Sequence, residues 1–295
     1  MKRRDFLGSM TALGAVLAGK PARASTSRHV PEDPYGVLVD VDKCIGCRKC
    51  EWACNQANHL PVRPLETFED KSVFDDRRRP DAGNYTVVNQ YIADQNGGRP
   101  VWVKAQCMHC GDPACASACI VTAFQKQDNG AVTYDPWRCM GCRYCMVACP
   151  FQVPAYEYAD PFSPEVRKCT FCFERTSKGG IPACVEICPP QCLVFAKRSE
   201  LLELAHRKIS EPGSKYLDHV YGEHEVGGTS WLYISSHPME ELGMPVLGAQ
   251  APPRLTETIQ HGVFKGFVAP LAWFAFLGGM MRLFRPRKEE EGEAS

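Results

Sequence analysis

Sixteen of the seventeen cysteines stand in four compact groups. In chain order these are Cys44-x2-Cys47-x2-Cys50-x3-Cys54, Cys107-x2-Cys110-x4-Cys115-x3-Cys119, Cys139-x2-Cys142-x2-Cys145-x3-Cys149-Pro150 and Cys169-x2-Cys172-x11-Cys184-x3-Cys188-Pro189. The first and third are the run in which three closely spaced thiolates hold one iron–sulfur cube and the fourth reaches a second. Sixteen thiolates match the needs of four [4Fe–4S] clusters. Four-cysteine zinc sites would use the same number, as an exported scaffold, but zinc sites usually come as two separated Cys-x2-Cys pairs. A disulfide framework is implausible, because a Cys-x2-Cys bridge closes a tiny loop and seventeen is odd. Cys192 is left over, and reads as a small buried residue beside a cluster, not as a ligand.

The neighbours of the cysteines fit the same chemistry. Amides inside each open loop can donate to cluster sulfurs. Gly46, Gly111 and Gly141 stand where a side chain would crowd a cube, and Pro150 and Pro189 turn the chain away. Trp52, Trp137, Tyr144 and Phe151 read as shields against water, and His109 as a polar neighbour that tunes its cluster. His261 reads as an interfacial side chain. No Ser–His–Asp set, P-loop or Gly-x-Gly-x-x-Gly run stands out. The expectation is a wire with no catalytic residue, whose substrate is another protein's electrons.

Elements must position these groups. Gly36–Asp42 reads as a strand running into the first group, and Gly130–Asp135 as its counterpart before the third. Each leads into a cysteine loop, with the last cysteine near the start of a helix or a proline-directed turn. This strand–loop–helix unit repeats, as in a two-cluster ferredoxin. Pro61 to Arg99 reads as a polar loop insert, and its charge run at Asp75–Pro80 as a solvated face. Glu200–Lys208 reads as a short amphipathic helix, and Val220–Pro253 as an extended arm.

The ends carry addresses. Arg3-Arg4-Asp5-Phe6-Leu7, an apolar stretch and Ala22-Arg23-Ala24 are expected to form a twin-arginine export signal. Such a route carries proteins already folded around their clusters. Val263 to Phe284 is apolar on all sides and is expected to cross a membrane once, with Arg282, Arg285, Arg287 and Lys288 keeping the C-terminus in the cytoplasm. The body would then lie on the periplasmic face. The 34 basic side chains balance 34 acidic ones. No basic stripe with aromatics marks a nucleic-acid partner.

Gln106-Cys107-Met108-His109-Cys110-Gly111-Asp112-Pro113, Gly141-Cys142-Arg143-Tyr144-Cys145-Met146-Val147-Ala148-Cys149-Pro150 and Gly179-Gly180-Ile181-Pro182-Ala183-Cys184-Val185-Glu186 are typical wording of one family. In these residues the chain resembles the four-cluster ferredoxin-like subunits of membrane-bound respiratory oxidoreductases, and most closely the hydrogenase-2 type of iron–sulfur subunit. The resemblance implies an α+β fold of two interlocked bacterial-ferredoxin-like units with loop insertions and one C-terminal transmembrane helix. It implies a division into a signal (1–24), a unit from the first and fourth groups (25–60 and 160–200), an insert with a unit from the second and third (61–159), an extended arm (201–260), a span (263–284) and a tail (285–295). It implies four cubes: one on Cys44, Cys47, Cys50 and Cys188; one on Cys54, Cys169, Cys172 and Cys184; one on Cys107, Cys110, Cys115 and Cys149; and one on Cys119, Cys139, Cys142 and Cys145. The implied partners are the small and large subunits of a [NiFe] hydrogenase, or a molybdopterin subunit such as that of formate dehydrogenase, and a quinone-reactive membrane subunit.

Overall fold

The computed structural model describes residues 31–93, 98–253 and 268–283. The expected signal, His261 and the tail lie outside the described residues. Along the chain run β1 (Tyr35–Asp40), α1 (Lys49–Ala57), β2 (Thr86–Ile92), β3 (Pro100–Gln106), α2 (Ala114–Ser117), β4 (Phe124–Lys126) and β5 (Val132–Tyr134). Then come α3 (Tyr144–Ala148), β6 (Ala155–Tyr156), β7 (Val166–Arg167), α4 (Phe173–Thr176), α5 (Ala183–Glu186), β8 (Leu193–Lys197), α6 (Arg198–Ser210), β9 (Trp231–Ile234) and α7 (Val268–Leu283). The result is a ferredoxin-like mixture of short strands and helices.

Strand pairing joins the cysteine groups two by two. β1, which leads into the first group, pairs antiparallel with β8, which follows the fourth, in the register Val37↔Phe195 and Val39↔Leu193. β4 and β5 form the hairpin between the second and third groups, with Phe124 opposite Tyr134. β1 lies in the middle of its sheet and is buried on both faces, so its run Val37-Leu38-Val39 is continuously apolar. Side chains alternate across it. Val37 and Val39 join the core that reaches Cys44, Cys50, Cys184 and Cys188. Leu38 faces the other way, onto Leu201 and Ala205 of α6.

Three expectations are corrected. Over its described residues, 201–253, the expected arm is not extended. It carries most of α6, and β9 pairs parallel to β1 in the register Val37↔Trp231 and Asp40↔Ile234, with all four residues buried. Trp231-Leu232-Tyr233-Ile234 is apolar and buried on both faces although β9 is an edge of the sheet, and Tyr221 bridges Tyr233 on its outer side. The insert is not a loop either. β2 and β3 pair from Thr86↔Gln106 to Ile92↔Pro100 and bury Val87, Val88, Val101 and Val103. The charge run is a solvated face only in part: Asp75, Asp76, Arg77 and Arg79 are exposed, but Arg78 is half-buried. Arg78 donates to the buried Glu51 (2.6 Å) and to Val88 O (2.7 Å), while Arg77 and Arg79 hold Gly243 O and Gln152 O. It straps the insert to the body.

Of the expected span, 263–267 and 284 lie outside the described residues. α7 has 16 residues, ~24 Å at 1.5 Å per residue, and no helix among the described residues is long and apolar enough to cross a membrane. Trp273, Phe274, Phe276 and Met281 of α7 are exposed.

Candidate metal centres

Each Cys-x2-Cys loop turns through one left-handed residue just before its second cysteine: Gly46 (φ 65°), His109 (48°), Gly141 (73°) and Phe171 (59°). The turn aims amides at sulfur. Gly141 N–H donates to Cys139 Sγ at 3.4 Å and Phe171 N–H to Cys169 Sγ at 3.4 Å. Gly46 is required twice over, because a Cβ there would stand 2.4 Å from the Trp102 ring. Gly111 is different. It has no left-handed φ; its N–H donates to Gly228 O at 2.8 Å, so it anchors the approach to β9. The groups therefore alternate in kind. The first and third use glycine and a left-handed arginine (Arg48, Arg143) before the third cysteine. The second and fourth use a buried ring there and a proline (Pro113, Pro182) as helix N-cap.

Proline-directed turns follow Cys149 and Cys188 as expected, but the helices lie elsewhere. The third cysteine, not the last, sits in the first turn of a helix: Cys50 in α1, Cys115 in α2, Cys145 in α3 and Cys184 in α5. Cys54 lies inside α1, and Cys149 caps the end of α3.

Cys44, Cys47, Cys50 and Cys188 line one enclosed cavity. Cys54, Cys169, Cys172 and Cys184 line a second. Cys110 has Cys107, Cys115 and Cys149 as its thiol neighbours. Cys145 has Cys139, Cys142 and Cys119. The sets also neighbour one another in order: Cys50 and Cys184, Cys169 and Cys107, and Cys115 and Cys145 lie close enough for their charges to interact. Apolar packing follows the same order, with Cys54, Cys169 and Cys107 in one core cluster and Cys115, Cys145, Cys119 and Cys139 in another. Four thiol sets thus form a row.

These sets fit a cationic cofactor. Burial pushes the thiols of Cys50, Cys54 and Cys110 well above their ordinary range, and neighbouring thiolates push them further. Burial likewise takes Cys169 to about 12 and Cys145 to about 11. Four such groups aimed into one apolar space need positive charge among them to ionise. Iron supplies it. All seventeen cysteines are free thiols. Among the described residues no group of three or more His, Cys, Asp or Glu is arranged to hold a single metal ion.

Cys192 is buried, with its sulfur 3.3 Å from Cys188 Sγ. Its hydrogen bonds hold the thiols of Cys188 (to about 6) and Cys44 below their usual range. His109 is wholly buried, its Nδ1 accepting from Val132 N–H at 2.8 Å. Burial first, then Lys168 and Lys126, keep it neutral. Shielding fails for two of the four aromatics. Trp137 is 95% exposed and Tyr144 58%. With Ile120, Met140 and Val147, also exposed, they surround the outermost set, whose Cys142 is open to solvent.

Lys104 on β3 escaped the sequence reading. It is buried, with Nζ donating to Thr86 Oγ1 (2.7 Å) and Gln106 Oε1 (2.8 Å) and lying 4.4 Å from the centre of the Trp231 ring. It lines both of the first two thiol cavities. Burial works against its charge, but Cys184, Cys50 and Cys169 outweigh this and hold it above the usual lysine range. Its signal was a lone charge directly after the apolar stretch Val101-Trp102-Val103.

Residues 100–198 match a family model described as a 4Fe-4S dicluster domain. The chain is 49% identical over 262 residues to a protein of Nitratidesulfovibrio vulgaris, spanning 87% of this chain and 70% of that one. It is 36% identical to the hydrogenase-2 operon protein HybA of Escherichia coli O157:H7, across 96% of this chain and 95% of the relative. It is 34% identical to the iron-sulfur subunit of nitrate-inducible formate dehydrogenase of Escherichia coli K12, across 81% and 80%. A ferredoxin-like body with rows of inward-facing thiols, matched by these relatives over most of their length, shows that the chain binds iron–sulfur clusters and belongs to the iron–sulfur electron-transfer subunits of respiratory oxidoreductases.

Proposed function

We propose that this chain conducts electrons through four [4Fe–4S] clusters, between a periplasmic [NiFe] hydrogenase core and a quinone-reactive membrane subunit. The observation that carries the reading is the row of four thiol sets, the first two lining enclosed cavities and the fourth, at one end, with Cys142 exposed. Each cluster, when bound, would take up and release one electron. The residues do the rest. Cys44, Cys47, Cys50 and Cys188 would hold the first, and Cys54, Cys169, Cys172 and Cys184 the second. Cys107, Cys110, Cys115 and Cys149 would hold the third, and Cys119, Cys139, Cys142 and Cys145 the fourth. Gly141 and Phe171 amides donate to ligand sulfurs, and Phe171, Trp231 and Met108 keep water out of the middle of the row. The apolar rim at Trp137, Met140 and Val147 offers a partner subunit a dry contact beside the fourth set.

Hydrogenase is favoured because the likeness to HybA runs nearly end to end in both chains. Formate dehydrogenase is the second reading, supported by 34% identity over most of both chains. The export signal at 1–24 and a single span at 263–284 would place the body on the periplasmic face of the cytoplasmic membrane. Anaerobic isolation from the native membrane tests these readings together. Iron and acid-labile sulfide near sixteen per chain, with a nickel-containing partner, support the first; a pterin-containing partner supports the second. Zinc without sulfide overturns both. Replacing Arg3 and Arg4 by lysine should leave the protein in the cytoplasm, and unchanged export would sink the proposed route.

A further inference from the structure

We propose that Lys104 is the shared counter-charge of the first two clusters, placed so that one buried ammonium stabilises an added electron at either site. The inference rests on the four-cluster reading above. Three features carry it. First, Lys104 lines both thiol cavities, the one of Cys44, Cys50 and Cys188 and the one of Cys54, Cys169 and Cys184. Second, its fixed partners are neutral. Thr86 Oγ1 and Gln106 Oε1 accept two of its protons, and the Trp231 ring lies 4.4 Å away. No carboxylate among the described residues forms an ion pair with it, in contrast to Lys208, which meets Asp40 at 2.8 Å. A buried ammonium without an anion is costly, and the only anions the two cavities can offer are thiolates and what they bind. Third, its position is fixed from two sides. Val88 stands opposite it in the β2–β3 ladder, and the Tyr233 hydroxyl donates to its carbonyl at 2.9 Å.

A site held by four thiolates becomes more negative on reduction. A fixed positive charge in a low-dielectric interior favours that state and raises the potential. Because Lys104 lines both sites, its fixed charge stabilises an added electron at each of them. Lys104 is therefore a positioning residue for electrons, acting on two neighbouring couples and not on the other two.

The test is a redox titration of the purified complex followed by electron paramagnetic resonance. Iron and sulfide in the unsubstituted protein come first, since a shortfall there sinks the four-cluster reading and not Lys104 in particular. Lys104→Met should make reduction about tenfold less favourable, about 59 mV for a one-electron couple, in two couples while two stay in place. Lys104→Arg should stay close to the unsubstituted values. Unchanged potentials in a fully loaded Lys104→Met protein overturn the proposal, as do equal shifts in all four couples. If neither Lys104→Met nor Lys104→Gln retains its clusters, iron content decides. Full loading of Lys104→Arg then shows that the charge is what the sites require; failure of that variant too shows that shape is, and overturns it.

Discussion

Gly46 shows how one residue meets two demands. Its φ of 65° lies in the left-handed region, and its missing Cβ leaves room for Trp102. Gly46→Ala should cost at least about 1–2 kcal/mol from the backbone alone, and more because the Trp102 ring must move. The expected result is a lower thermal midpoint and reduced iron in the purified protein, read by calorimetry and metal analysis. His109 and Phe171 hold the same backbone position without glycine, and their rings pack against each other at 5.0 Å, which offsets the strain by burial. The cysteines permit a sharper check. Cys54→Ala removes a thiol from the second set alone, although Cys54 lies in the first group of the sequence. Iron should fall by about a quarter, with one of the four couples missing. A loss confined to the couple of the first set would sink the assignment.

At the scale of elements, the helices that carry cysteines are too short to stand by themselves. α2 and α5 have 4 residues each and α3 has 5, well below the ~12 at which an isolated helix becomes marginal. They are held by what surrounds them. α1 is longer, at 9 residues, but still short of that length, and it is held by charge. Glu51 on its inner face accepts from Arg48 Nη2 (3.2 Å), Arg78 Nη2 (2.6 Å) and Val88 N–H (2.7 Å), and is almost wholly buried. Through it α1, the arginine strap and β2 become one unit. Glu51→Gln should destabilise the loaded protein by about 3 kcal/mol, as expected when a buried pair loses one partner. Chemical denaturation would measure this, and a change within ~0.5 kcal/mol would show that the strap does not bear on stability. Of these elements, β1 and β5 were legible as short extended runs leading into cysteine loops, and α6 as a pattern of three-to-four. The β2–β3 pair was not, because its strands flank a turn-rich stretch and carry Asn89, Gln90 and Lys104, which read as polar loop until their partners are known.

For the whole molecule, the thiol sets form the middle and the sheets form the rind. The central sheet packs one face on cysteine-lined core and the other on α6. Among the described residues the largest sheet has three strands, so little of the body has a conventional core that would survive without cofactor. Removing iron with a chelator under reducing conditions should therefore do more than bleach the protein. Amides of α2, α3 and α5 should lose hydrogen-exchange protection first, and β1, β8 and β9 should follow, because Val37, Val39, Trp231 and Tyr233 pack toward the emptied cavities. Retained protection throughout, with all iron gone, would mean that the rind folds unaided.

The cysteine spacing by itself determined the chemistry. Residues three apart in one loop have few places to put their side chains, so the local backbone already brings three sulfurs around a common point. Family wording in the same stretches determined the kind of assembly. That wording also implied which distant groups share a cube, but only tertiary structure shows how they meet. Cys188 reaches Cys44 because β8 pairs with β1, and Cys149 reaches Cys107 because a hairpin joins their groups. Tertiary structure also decided that a lysine of β3 lines two cavities and that Trp137 faces solvent. Such facts depend on strand register and on which surfaces remain uncovered once every element has packed, and no window of neighbouring residues contains that information.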